Sequence, residues 1–344
     1  MRSGPVPLVI ASPLEAHLVD RIRGVDDRLE VMYDPELLAT PKYPGDHLGV
    51  FTRLDAEQDR RWHEMLARAV IAFDLDRREP ERLRSNFPAL EWIQATSAGI
   101  GQVLPRFDID LDKVTVTTAA GVHAEPLSEF VVASLLYFVK EIPQLRRWQA
   151  AHSWTRYTTE MLAGRRVLVV GLGAVGRRTA TKLAALGVEV VAAIRPGGDR
   201  DLPGVAEIVE IDALASVWPT VRDVVLACPL TQETEGLLSA EAIAALPRGA
   251  NLVNIARGQV VDEPAVIEAL HSGQLGGAAL DVAWVEPLPA ESPLWDLETV
   301  LISPHSASTV AVENGLVVEL FCDNLRRWFA GEPLRNVYQP ARGY

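Results

Sequence analysis

Residues 165–187, RRVLVVGLGAVGRRTATKLAALG, constrain the chain more than any other stretch, because a buried strand, a three-glycine turn and a helix follow one another without interruption. The apolar run Val167 to Val170 reads as a strand, and Ala180, Leu183, Ala184 and Leu186 give the segment behind it an apolar helical stripe. Between them Gly171 permits a sharp turn, Gly173 lets a phosphate approach the backbone, and Gly176 lets the helix pack closely on the sheet. The helix opens at Ala174 and Val175, where free N–H groups and the positive end of the dipole attract an anion. A unit of this kind is built to hold a dinucleotide pyrophosphate.

Short runs of Val, Ile and Leu alternate with helical patterns from end to end, so the expected class is α/β with doubly wound parallel sheets. Strands are expected at 7–11, 29–33, 69–73, 90–95 and 114–118, enough for one small domain. From Val167 a second series follows: VLVV, EVVAAI, DVVLAC, NLVNIA, GAALDV and VLIS, which form a larger domain. The stretch that starts at His123 reads as one long linking helix with Leu127, Phe130, Val131, Leu135 and Phe138 on its apolar face. A helical stretch at 309–330 is expected to return to the first domain. The boundaries read 1–120 with 309–344 for that discontinuous domain and 121–308 for the other, and 344 residues suit two domains of roughly 150 each.

The net charge of −13 argues against nucleic acid as a main partner, since phosphate backbones demand clustered Lys and Arg. Two cysteines, Cys228 and Cys322, make neither a disulfide framework nor a Cys-based zinc site, which fits a reducing cytoplasm. The N-terminal MRSGPVPLVIASPLEAH, broken by prolines, reads as a first strand and not as a signal peptide, and no apolar run approaches the roughly 18 residues of a membrane span. His123 and Glu125 form an HxE without the paired cysteines of a zinc deaminase, and read as the start of the linking helix.

Dinucleotide folds that use NAD usually carry an acid at the end of the second strand, on the ribose hydroxyls. Here that strand ends Ile194, Arg195, Pro196. A guanidinium there suits a 2′-phosphate, so NADP(H) is expected over NAD(H), with Asp199 or Asp201 folding back to serve NAD as the alternative. Ligands of open parallel sheets lie outside the carboxyl ends of the strands. Three such ends deliver Arg257 with Gly258, then Asp281 with Glu286 shortly after, then His305 between Pro304 and Ser306. A guanidinium, a carboxylate and an imidazole suit hydride transfer to a 2-oxo acid without calling for a metal. His305 would donate the proton as the carbonyl oxygen gathers charge, Glu286 would orient the ring and raise its pKa, and Arg257 would bind the substrate carboxylate or carbonyl.

The segments GLGAVG, CPLT (228–231), NIARG (254–258), ALDVAWVEPLP (279–289) and SPH (303–305), in this order over most of the chain, resemble the D-isomer-specific 2-hydroxyacid dehydrogenase family. The resemblance implies a Rossmann dinucleotide-binding domain inserted into a smaller flavodoxin-like substrate domain. It implies that Arg257, Glu286 and His305 are catalytic and that Asp281 contacts the nicotinamide carboxamide, with Cys228, Pro229, Thr234 and Ala256 also at the coenzyme. Ser97, Ala98 and Gly99, in the turn 96–100, resemble the loop whose amides hold the substrate carboxylate, and a homodimer is implied as well. The chain departs from the family in having Ala283 and Trp284 where an aromatic directly follows the LDV motif. Ile194 at the acid position resembles the NADP-using glyoxylate and hydroxypyruvate reductases, and Glu286 in place of glutamine disfavours formate oxidation. Two other readings stay open: a dinucleotide-sensing, corepressor-like binding protein, and a methyltransferase, against which Ile194 and Arg195 argue.

Overall fold

Twelve strands form two sheets, and every pairing among these strands is parallel, in a computed structural model that describes residues 4–101 and 103–340. The chain divides into two units, one running to His123 and resuming at Thr309, the other spanning Ala124–Ser308. In the first, β1 (Val6–Ile10), β2 (Leu29–Met32), β3 (Ile71–Phe73), β4 (Trp92–Gln94) and β5 (Thr115–Thr117) lie in the order β2-β1-β3-β4-β5, the flavodoxin-like arrangement. Strand residues alternate between two buried faces. Val9, Ala72, Ile93 and Val116 pack on one, while Leu8, Ile10, Ile71, Phe73 and Trp92 pack on the other with the C-terminal helix Glu313–Ala330. Phe321 of that helix sits 5.1 Å from the Phe73 ring and 5.2 Å from Trp92, which seats the last part of the chain on the first sheet. The helix starts at Glu313 and not at 309; Val310 instead accepts from the Glu313 amide in a turn.

The second unit contains β6 (Arg166–Val170), β7 (Glu189–Ile194), β8 (Glu207–Glu210), β9 (Asp223–Leu226), β10 (Ala250–Asn254), β11 (Leu275–Leu280) and β12 (Val300–Ile302), ordered β12-β11-β10-β9-β6-β7-β8. The winding direction reverses between β6 and β9, which opens a crevice at their carboxyl ends. Here too both faces are covered: Leu168 and Val170 join one core, Val167 and Val169 the other. At the opposite edge Arg165 forms a two-pronged ion pair with Asp223, 2.8 Å on each arm, and Asn251 donates to the same carboxylate. This buried, fully engaged cluster ties the starts of β6, β9 and β10 together.

Two sequence expectations need correction. The stretch from His123 is not one helix but two, Ala124–Val139 and Ile142–Ala150, with Glu141 in the left-handed region at φ 51°. Pro143 explains the break: it has no N–H for the preceding turn, yet it fits the first turn of a new helix. Strand β8 was not expected, because its four residues EIVE are flanked by acids and none is fully buried. No helix among the described residues is long and apolar enough to cross a membrane.

Candidate active site

The glycine turn follows β6 at the switch point. Gly171 has φ +94°, and a Cβ there would lie 2.8–2.9 Å from the backbone of Ala227 and Cys228, so both conformation and the close approach of β9 require glycine. A Cβ on Gly176 would sit 1.8 Å from the Gly171 carbonyl oxygen, whereas one on Gly173 would meet nothing within 4 Å. The second glycine therefore faces open space, and the N–H groups of Leu172 and Gly173 donate to no group among the described residues. Together with the start of the helix Ala174–Ala185, where Ala174 is exposed and Val175 half-buried, this cradle fits a pyrophosphate. Across the switch point, Cys228 is buried and its thiol is pushed up to about 12 by that burial, so it lines the site as a neutral group beside Pro229. Thr234 turns its hydroxyl to the Pro229 carbonyl at 2.6 Å and accepts from the Thr231 amide at 2.8 Å, shaping this loop.

After β7, Arg195 is exposed and no ion pair or hydrogen bond engages its side chain among the described residues. Asp199, one of the two acids expected to serve an NAD ribose in the alternative, is bound by Arg177 at 2.7 Å.

Arg257, Glu286 and His305 come from the ends of β10, β11 and β12. Buried Asn254 shapes the first loop by donating to the Arg257 carbonyl and accepting from the Ala256 amide, both at 3.0 Å. The Arg257 guanidinium donates to the Ala256 carbonyl at 2.6 Å, and its burial lowers its pKa against the attraction of Glu286 and Asp281. A Cβ on Gly258 would lie 2.0 Å from the Ala283 carbonyl oxygen, so the loop that carries Glu286 rests directly on the loop that carries Arg257. The His305 Nδ1 lies 2.8 Å from Glu286 Oε2, while Glu286 Oε1 accepts from the Ala283 amide at 3.2 Å. The hydrogen bond that His305 donates to the Glu286 carboxylate raises the His305 pKa above its ordinary value, against burial and the neighbouring Arg257 charge. Burial works to raise the Glu286 carboxyl, but its bond to His305 and nearby positive charge outweigh burial and hold it below the usual carboxylate value.

Sequence reasoning did not anticipate how Asp281 is used within its own unit. One carboxylate oxygen, Oδ1, accepts from Ser303 Oγ at 2.6 Å and from the amides of Ser306 and Ala307 at 2.9 Å, which fixes the turn bearing His305. The SPHS spacing was the only available hint. Of the HxE pair, His123 binds Glu313 and Glu125 pairs with Arg178 and Lys182. In the first unit, Ser97, Ala98 and Gly99 follow β4; Ala119 donates to the Ser97 carbonyl, and the amides of all three donate to no group among the described residues.

Comparison with known proteins places these features in one group. Residues 132–307 match the model described as D-isomer specific 2-hydroxyacid dehydrogenase, NAD binding domain. A glyoxylate reductase of Thermofilum pendens is 32% identical over 259 residues, 71% of this chain and 74% of that protein. A D-isomer specific 2-hydroxyacid dehydrogenase of Xanthobacter autotrophicus, solved with NADPH and MES, superposes with a TM-score of 0.79 at 32% identity over the whole of both chains. An NADPH-dependent glyoxylate/hydroxypyruvate reductase of Sinorhizobium meliloti, solved with NADP and sulfate, gives 0.78 at 25% identity over 98% of this chain and 100% of that one.

Proposed function

Because the chain belongs to the D-isomer specific 2-hydroxyacid dehydrogenase family, and is thus an NAD(P)-dependent hydroxyacid reductase, we propose that it reduces small 2-oxo acids to their D-2-hydroxy acids with NADP(H) as preferred coenzyme. Glyoxylate and hydroxypyruvate are the first substrates to try. The observation that carries the reading is the 2.8 Å His305–Glu286 contact, on a loop braced against the one that presents Arg257.

The bound nicotinamide supplies the hydride. Gly171, Gly173, Gly176, Ala174 and Val175 would hold its pyrophosphate, Arg195 its 2′-phosphate, and Cys228, Pro229, Thr234, Ala256 and Asp281 would line the rest of its site. The amides of Ser97, Ala98 and Gly99 hold the substrate carboxylate. Arg257 directs its guanidinium at the carbonyl oxygen, where negative charge grows as the carbon is reduced. His305, kept protonated by Glu286 at Nδ1, gives its Nε2 proton to that oxygen, and the reverse reaction returns it. Desolvation around Arg257 strengthens its pull on the developing charge.

The preference for NADPH is supported by an Arg195 side chain without a partner among the described residues and by an Asp199 carboxylate already engaged by Arg177. Exposed apolar side chains on the linking helix and the segment behind it, Trp154 above all, support a homodimer. The test is initial-rate kinetics with NADPH and NADH against glyoxylate, hydroxypyruvate, pyruvate and bulkier 2-oxo acids, for wild type and His305→Ala. Turnover with NADPH, reduced about 10²–10⁴-fold in the variant, is expected. Near-normal turnover by His305→Ala would remove its acid role, and coenzyme-dependent binding of a partner without turnover of any acid would replace the enzymatic reading.

A further inference from the structure

The loop that follows β7 is held from outside itself. Arg177, the residue immediately after the third glycine, donates from Nε to the Leu172 carbonyl at 3.1 Å, from Nη1 to the Asp201 carbonyl at 2.8 Å, and from Nη2 to the Asp199 carbonyl at 3.3 Å and carboxylate at 2.7 Å. One planar fork thus joins the glycine turn to the segment 199–201, a geometry that lysine cannot reproduce with a single ammonium. Arg200 points the other way, to the Ile208 carbonyl and to Glu210 at the edge strand. The Asp199 carboxylate is also occupied on its second oxygen, which accepts from the Asp201 amide at 2.9 Å. The clamp leaves Arg195 as the one guanidinium of this segment's arginines, Arg195 and Arg200, with no partner among the described residues.

We infer that Arg177 is a positioning residue for coenzyme choice, which withdraws the Asp199 carboxylate from the adenosine ribose and fixes the loop so that Arg195 alone meets the 2′ substituent. The inference rests on the reading of Arg195 as the 2′-phosphate ligand and adds a second level of control to it. An acid free to swing to the ribose would accept hydrogen bonds from the 2′- and 3′-hydroxyls of NADH and repel the 2′-phosphate of NADPH. Bound by Arg177 on one oxygen and by a backbone amide on the other, Asp199 does neither. Arg177 itself needs no contact with coenzyme to have this effect.

Coenzyme titration by protein fluorescence tests the inference without any knowledge of the substrate. Dissociation constants for NADPH and NADH are measured for wild type, Arg177→Ala, Arg177→Lys and Asp199→Asn, each checked for folding by its thermal transition. Wild type is expected to favour NADPH. Arg177→Ala should narrow the NADH/NADPH ratio about tenfold or more, the factor carried by one hydrogen bond to a charged group. Arg177→Lys should restore part of the ratio, and Asp199→Asn, whose carboxylate the clamp already keeps from the ribose, should leave it close to the wild-type value. If Arg177→Ala does not fold, the lysine and Asp199 variants carry the same comparison. Wild type favouring NADPH with an unchanged ratio in the Arg177 variants, or a ratio shifted several-fold by Asp199→Asn, overturns this inference and leaves the Arg195 reading intact. Wild type favouring NADH overturns the Arg195 reading, and this inference with it.

Discussion

His305 occupies the left-handed region at φ 54°, an arrangement that a non-glycine residue keeps only where its surroundings over-determine it. Its own amide donates to the Asp281 carbonyl at 2.8 Å, and the Asp281 side chain holds the residues on either side of Pro304 and His305. The ring is therefore placed by backbone constraints, and its charge is set by Glu286. Since the raised pKa favours the protonated ring, reduction should persist toward higher pH than a free imidazole would allow, and fail as pH rises through the folded-state pKa. The linked stability term has the same sign: it is fully present below the unfolded histidine pKa and is lost as pH rises through the folded value. Glu286→Gln keeps a hydrogen-bond acceptor beside Nδ1 but removes the negative charge. The alkaline limb of kcat/KM for reduction should then move to lower pH, with a loss of kcat at neutral pH. A profile that keeps its alkaline limb would mean that Glu286 does not control the proton on His305.

Between elements, the decisive contact is the approach of the loop after β11 to Gly258. Backbone atoms of Ala283 and Trp284 lie 2.0–2.4 Å from where a Cβ would stand, and no side-chain rotation relieves that overlap. Gly258→Ala should cost about 3 kcal/mol, the upper end of overpacking penalties, and displace the segment that carries Glu286. Lowered thermal stability of the variant together with a fall in kcat would support this; full stability with full activity would contradict it. The sequence allowed the glycine to be seen next to Arg257, but not why it must be glycine, because the partner backbone lies 25 residues on. The same limit separates what was legible from what was not. The glycine turn, the alternation of strands and helices, and the carboxyl ends bearing Arg257, Glu286 and His305 are local patterns, and both parallel sheets follow from them. Strand β8 escaped notice because its residues, covered on neither face completely, carry no apolar run. The break at Glu141 was hidden under an apolar pattern that continues through it, although Pro143 announced it. The use of Asp281 Oδ1 to hold the histidine turn depends on a register 22–26 residues away and had no local sign.

For the molecule as a whole, the unsolved burial is at the linking helix and the segment after it. Leu136 is 37% exposed, Tyr157 38%, Met161 70% and Trp154 99%, all within 26 residues of sequence; Tyr43, Leu48, Val50 and Phe51 form a second exposed group in the other unit, but none of them is as fully exposed as Trp154. The segment 151–161 is not loose. Tyr157 packs edge-on against Trp148 at 5.0 Å and donates to the Lys140 carbonyl at 3.2 Å, and Lys140 Nζ donates to the Glu160 carbonyl at 2.7 Å. This arm holds a tryptophan wholly in water and leaves a large ring unburied, and a second copy of the chain is the cover proposed above. If so, Trp154 sits in the contact as an anchor, and anchors of this type cost about 2 kcal/mol or more on truncation, roughly a 30-fold weaker dimer. Sedimentation equilibrium should find wild type at twice the chain mass and Trp154→Ala dissociating at concentrations at which wild type does not. The difference in emission between wild type and Trp154→Phe isolates one tryptophan among the eight in the chain, and it should shift to shorter wavelength as protein concentration rises through the dissociation constant. A wild-type monomer at all concentrations, or a Trp154 emission that stays at the wavelength of a solvated indole in a proven dimer, would put the interface elsewhere.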